Sequence, residues 1–274
     1  MDTLLYCLAV FLPLLYLMVA VGYGRMFFTE NERVKRWAPL LFRCALAVHG
    51  AYLVLLVIRW RQFPTATLSQ ALSTVAFALA VIYGVIEWRG KIASTGFWML
   101  SFAWLFELMS ALLRTPEPPY REIFHNPLFA AHTGLGLLGY TAFVAAAGYG
   151  FFFLRLYHEI KHRRFSVFFG KLPPLEVLER MMMVAMLAGF VALTGAVVSG
   201  AVWASQVFEE AWWNDPKILI TLATWGFYGL ALLLRRLRQW QGRQMAIASL
   251  AGFGAILFSL LCVNLLLTDV HGFR

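Results

Sequence analysis

The chain has 274 residues, of which 61% are hydrophobic and only 14% charged, with a formal net charge of +9 and a mean hydropathy of +0.71. A soluble domain is nearer half apolar and about a quarter charged, so this composition excludes a single soluble core and indicates a polytopic membrane protein. Apolar stretches recur near the ~20 residues that a spanning helix needs, which favours helices over barrel strands.

In chain order, eight spans are predicted, near residues 3–24, 39–58, 67–86, 94–113, 128–154, 181–204, 218–234 and 245–268. The first is read as a span rather than a signal peptide, because Met1-Asp2 gives it no basic flank. Basic residues then orient the bundle. The loops after spans 1, 3, 5 and 7 carry Arg25, Arg33, Lys35 and Arg36; Arg89 and Lys91; Arg155, Lys161, Arg163, Arg164, Lys171 and Arg180; and Arg235, Arg236, Arg238 and Arg243. The opposite side holds Arg59, Arg61, Arg114, Arg121, Lys217 and Arg274. The richer side faces the cytoplasm by the positive-inside rule, which places both termini on the outer, periplasmic side. The expected fold is therefore an all-α polytopic bundle of about eight transmembrane helices in a bacterial inner membrane. The positive charge is a topology signal, and no nucleic-acid partner is indicated.

The three cysteines, Cys7, Cys44 and Cys262, fall within spans and form no Cys-x-x-Cys pair. Neither a redox dithiol nor a c-type haem attachment site is encoded. The longest predicted loop is the inner one around residues 155–180.

On the outer side the topology gathers residues that are remote in sequence. "EEAWWNDPK", residues 209–217, joins spans 6 and 7; His132 lies about one turn inside span 5; His271 lies in the tail "TDVHGFR". Histidine is a standard axial ligand of haem iron, and tryptophan offers a large apolar face suited to the membrane boundary. Lys217 or Arg274 can pair with haem propionates, and Asp215 can orient a histidine through its second nitrogen. The alternative is an anchoring belt of tryptophans, Trp203 and Trp225 among them, with solvated histidines.

These segments resemble the tryptophan-rich signature of the CcsA/CcmC/CcmF cytochrome c assembly superfamily. The likeness lies in "SGAVWASQVFEEAWWNDPK" followed by "ILITLATWGFYGL", with Trp203, Trp212, Asp215, Pro216 and Lys217 on the pattern. "HTGLGLLGYTAFVAAAGYGFFFL" is similar to the family's histidine-bearing span, and "DVHGFR" to its terminal histidine segment. Phe208 and Asn214 stand where the signature has tryptophans, Trp213 is shifted one place, and Ile218 replaces a glutamate. The likeness covers residues 128–274 well and the first half only by topology. It implies one transmembrane domain over 1–274, with four spans in 1–127 and a haem-handling half in 128–274. It also implies haem as the cofactor, held between His132 and His271 on a platform of Trp203, Trp212 and Trp213. Implied partners are a CcsB/ResB-like subunit or another haem-synthesis or biogenesis protein, and an apocytochrome c whose thiols meet the haem vinyl groups. An enzymatic role as part of a haem lyase stays open, beside a HemX-like scaffold of tetrapyrrole metabolism and a b-haem electron carrier.

Four further features have competing readings. "HEIKH", residues 158–162, fits His-Glu-x-x-His, with a third ligand to come from Glu176 or Glu179. It lies among basic residues at the inner end, so zinc is not expected. "GLGLLG", residues 134–139, fits a dinucleotide fingerprint but lies inside an apolar span, where close helix packing accounts for it. His49, mid-span, is either a haem-binding residue or a neutral imidazole bonded across helices. Glu107 either lines a polar cavity or bonds across helices.

Overall fold

A computed structural model describes residues 1–29, 31–90, 92–114, 125–164, 166–207 and 216–266, with backbone alone at 167, 168, 216, 217 and 259–266. Among the described residues the chain is all helix: α1 (Asp2–Phe28), α2 (Glu32–Trp60), α3 (Leu68–Gly90), α4 (Gly96–Leu112), α5 (Pro127–His162), the short α6 (Val167–Lys171), α7 (Leu175–Val207), α8 (Pro216–Arg238) and α9 (Arg243–Leu266). Each predicted span falls on one helix. Six of these helices are long and apolar enough to cross a membrane, and Gly96–Leu112 and Arg243–Phe258 are shorter apolar segments. Helices suit lipid because each satisfies its own backbone polar groups.

The segment around 155–180 departs from the expected loop. α5 continues to His162, α6 occupies part of the connection, and α7 starts at Leu175. The 36 residues of α5 give a rod of about 54 Å, well beyond the ~30 Å hydrocarbon layer. The extension is held by Leu156, which stays buried, and by Arg155 and Glu159 one turn apart, 3.2 Å between charged atoms. Arg163 ends the helix in the left-handed region at φ 53°, its N–H reaching back to the carbonyls of Glu159 and Ile160.

Helices α1 to α4 pack together, α1 against α2 and α4, and α3 against α4 and α2. α5 lies along α7, with α8 and α9 closing a second group, and α3 bridges to α5. α2 runs antiparallel to α1, α4 to α3 and α8 to α7. Arg59 at the end of α2 pairs with Asp2 at the start of α1, 2.8 Å. Ser69 at the start of α3 and Ser110 near the end of α4 each donate to the other's carbonyl, 2.8 Å both ways. At the opposite end Tyr23 of α1 donates to Glu87 of α3, 2.6 Å, and Arg235 of α8 to Glu179 of α7, 2.9 Å.

Small residues set the closest approach. A Cβ on Gly139 of α5 would lie 3.2 Å from the Gly189 carbonyl oxygen of α7, and one on Gly189 only 2.7 Å from the Phe143 ring. Of the glycines of "GLGLLG", Gly139 thus serves close backbone packing between helices, while Gly134 faces the Phe63 ring.

Candidate functional site

The first turn of α5 places the central side chain. Asn126 caps the helix, accepting from the N–H groups of Leu128 and Phe129 at 2.9 and 3.3 Å. Pro127 occupies the first helical position, where no N–H is needed. This start puts His132 in the second turn, against α7.

His132 is half-buried, and its Nδ1 lies 2.8 Å from the carbonyl oxygen of Ala196. A carbonyl only accepts, so Nδ1 carries the proton and Nε2 keeps its lone pair. Histidines that bind metal commonly have their other nitrogen held in this way. The ring rests on Gly200, where a Cβ would overlap Nδ1, Cε1 and Cγ of the imidazole. Phe129, one turn earlier on α5, meets Trp203, one turn later on α7, edge to face at 5.1 Å. The structure therefore brings His132 and Trp203 onto one stretch of the α5–α7 seam, with Trp203 only 9% exposed. Thr65, from the α2–α3 connection, donates to Thr133 at 3.3 Å and ties the first helical group to the same place.

Of the other expected site residues, His271, Trp212, Trp213 and Asp215 lie outside the described residues, as does Arg274. Lys217 lies in the first turn of α8, its side chain undescribed. The frame of the connection is described. α7 ends at Val207 and α8 begins at Pro216. Tyr140 and Thr221, 3.4 Å apart, and the stacked rings of Phe143 and Tyr228, 3.6 Å apart, fix α8 to α5. Trp225 donates to Thr194 of α7 at 2.8 Å and stacks on Phe190.

His49 sits in a different environment, in the middle of α1 to α4. It is fully buried. Its Nδ1 lies 3.0 Å from the Tyr16 hydroxyl and its Nε2 2.9 Å from the Ser73 hydroxyl. Ser73 in turn donates to Glu107 at 2.9 Å. With that donation, Nε2 donates to Ser73 and Nδ1 accepts from Tyr16, so one chain of hydrogen bonds crosses four helices. Both ring nitrogens are engaged, and Glu107 bonds across helices. A polar stripe, Ser69, Gln70, Ser73 and Thr74, marks this face of α3 in an otherwise apolar span.

In HEIKH, His158 and His162 share a face with ring centroids 4.2 Å apart. Glu159 turns elsewhere: it is buried and accepts from the N–H and hydroxyl of Ser166. Glu179 is taken by Arg235. No group of three His, Cys, Asp or Glu gathers among the described residues. Cys7 and Cys44 are exposed on the apolar exterior.

The fold and this seam define a class: an all-helical bundle that fits a multi-pass membrane protein, with an oriented imidazole at one end. The family model of the cytochrome C assembly protein matches residues 37–271, and the chain belongs to that family. It is similar to the cytochrome c biogenesis protein CcsA of Prochlorococcus marinus (strain NATL1A), 41% identical over 86 residues, 31% of this chain and 27% of that protein. The CcsA protein of Thermosynechococcus vestitus (strain NIES-2133 / IAM M-273 / BP-1) is 41% identical over 85 residues, again 31% and 27%. The chain thus matches about a quarter of the length of these curated relatives. No solved structure matches it.

Proposed function

We propose that this protein holds haem, as cargo, at the end of the bundle where α5 begins, and presents it during cytochrome c biogenesis. The observation that carries this reading is the bond from His132 Nδ1 to the Ala196 carbonyl, 2.8 Å, with Gly200 clearing the space behind the ring. That bond leaves Nε2 as the only ligating nitrogen and holds the ring plane. Trp203 and Phe129 supply an aromatic wall beside it.

The remaining contacts extend this reading through the family likeness. His271 is the second axial ligand, Trp212 and Trp213 complete the aromatic platform, Asp215 orients an imidazole, and Lys217 pairs with a propionate. The chain lies in a bacterial inner membrane with both termini outside, which puts His132 on the periplasmic side. An apocytochrome supplies two thiols, each adding its sulfur and hydrogen across one haem vinyl double bond. Orientation of the two reactants is the protein's contribution. A CcsB/ResB-like subunit is the proposed partner.

The test is the absorption spectrum of the detergent-purified full chain. A Soret band present in the parent and lost in His132→Ala supports the proposal. A haem-free parent after reconstitution with haem, or a band indifferent to both His132→Ala and His271→Ala, overturns it.

A further inference from the structure

A separate feature lies at the same end of the bundle, between α1 and α4. A cleft of about 640 Å³ is lined by Asp2, Thr3, Tyr6, Ala9, Val10, Ala111 and Arg114. Arg114 follows the last turn of α4, its guanidinium 5.0 Å from the centre of the Tyr6 ring. Its Nη1 is enclosed and has no hydrogen-bond partner among the described residues. The carboxylate lining the cleft does not fill the need: Asp2 is gripped by Arg59, at 2.8 Å from Nε and 3.2 Å from Nη2.

An enclosed guanidinium hydrogen without an acceptor is costly, because it loses water and the Tyr6 ring contact gives it no hydrogen-bond acceptor. The walls say what kind of acceptor fits. Around Arg114 the cleft is polar, with Thr3 and Asp2. One to two turns deeper it is lined by Ala9 and Val10, and Tyr6, Val10, Leu112 and Leu113 are exposed beside it. The cleft is therefore polar and cationic at the helix ends and apolar toward mid-membrane. A phospholipid has that same order, phosphate above and acyl chain below. Guanidinium and phosphate make short, charge-assisted, often paired hydrogen bonds.

We propose that Arg114 and the α1–α4 cleft form a binding site for the phosphate of an anionic phospholipid, with an acyl chain lying along Ala9 and Val10. The bound lipid bridges the ends of α1 and α4, which the neighbouring Asp2–Arg59 pair ties to α2.

Native mass spectrometry of the full chain tests this, with phosphatidylglycerol and phosphatidylcholine of the same acyl chains. The parent retains one phosphatidylglycerol, and Arg114→Gln weakens its retention about tenfold. Arg89→Gln, at the opposite end of the bundle, behaves as the parent. Equal retention of the two lipids, or equal loss in both variants, overturns the proposal. Should Arg114→Gln fail to fold, the melting temperature of the parent decides. Phosphatidylglycerol raises it above the level in phosphatidylcholine, and inorganic phosphate does not. A rise with inorganic phosphate alone assigns the site to free phosphate and removes the lipid.

Discussion

The imidazole of His132 on α5 is bonded to the backbone carbonyl of Ala196 on α7, and its face lies on Gly200 one turn further along. Ring orientation and tautomer thus depend on a helix pairing, not on any neighbour in sequence. Gly200→Ala is expected to push the ring off α7, and with it the Nε2 lone pair. Haem content of the purified variant should fall several-fold, with a shifted Soret maximum in what remains. Ser101→Ala, which removes a hydroxyl of α4 bonded to the Phe97 carbonyl of its own helix, should leave the spectrum unchanged.

The chain through Tyr16, His49, Ser73 and Glu107 predicts a stability effect. His49→Ala leaves the Tyr16 hydroxyl without its acceptor and takes one donor from Ser73, which keeps its bond to Glu107, and each cross-helix bond in a membrane contributes about 0.6–2 kcal/mol. A loss of about 1–3 kcal/mol is expected in detergent unfolding, with haem binding retained. Glu107→Gln keeps an acceptor for Ser73 and should cost less. A stable His49→Ala that loses its haem spectrum would instead make His49 a ligand.

The α5–α7 crossing predicts a contrast between glycines. Gly189→Val drives methyl groups into the Phe143 ring and the Gly139 carbonyl, and overpacking of this kind costs about 1–3 kcal/mol. Gly136→Ala meets nothing closer than Ala196 Cβ at 3.9 Å. Thermal unfolding should show a clear drop for the first and almost none for the second.

Glu159 closes the turn after α5 through Ser166. Glu159→Ala should release that turn and speed tryptic cleavage after Arg163 and Arg164 several-fold, leaving haem binding as it was. Unchanged cleavage would show that the turn is held by other contacts.

Much of this architecture was legible in the primary structure because lipid imposes a simple rule. A span must be about 20 apolar residues, and its ends must carry the charges. The eight stretches read from that rule coincide with α1 to α5 and α7 to α9, apart from the inner connection. There α5 runs on because Leu156 and the Arg155–Glu159 pair suit a helix with or without lipid around it. His132 and Trp203 were also readable, since topology alone sends both to one end.

Their supports were not. A backbone carbonyl has no sequence signature, so Ala196 cannot be singled out as the partner of His132. Gly200 reads as one glycine among many in an apolar run. The dual reading of His49 had the same origin: periodicity places it at mid-depth, but only packing decides what meets each nitrogen. Composition and charge order determined that the chain is a helical bundle and which residues share an end. Which face of each helix meets which neighbour was decided by tertiary packing, because close approach at Gly139 and Gly189 sets the rotation of α5 against α7 and so fixes where the imidazole comes to rest.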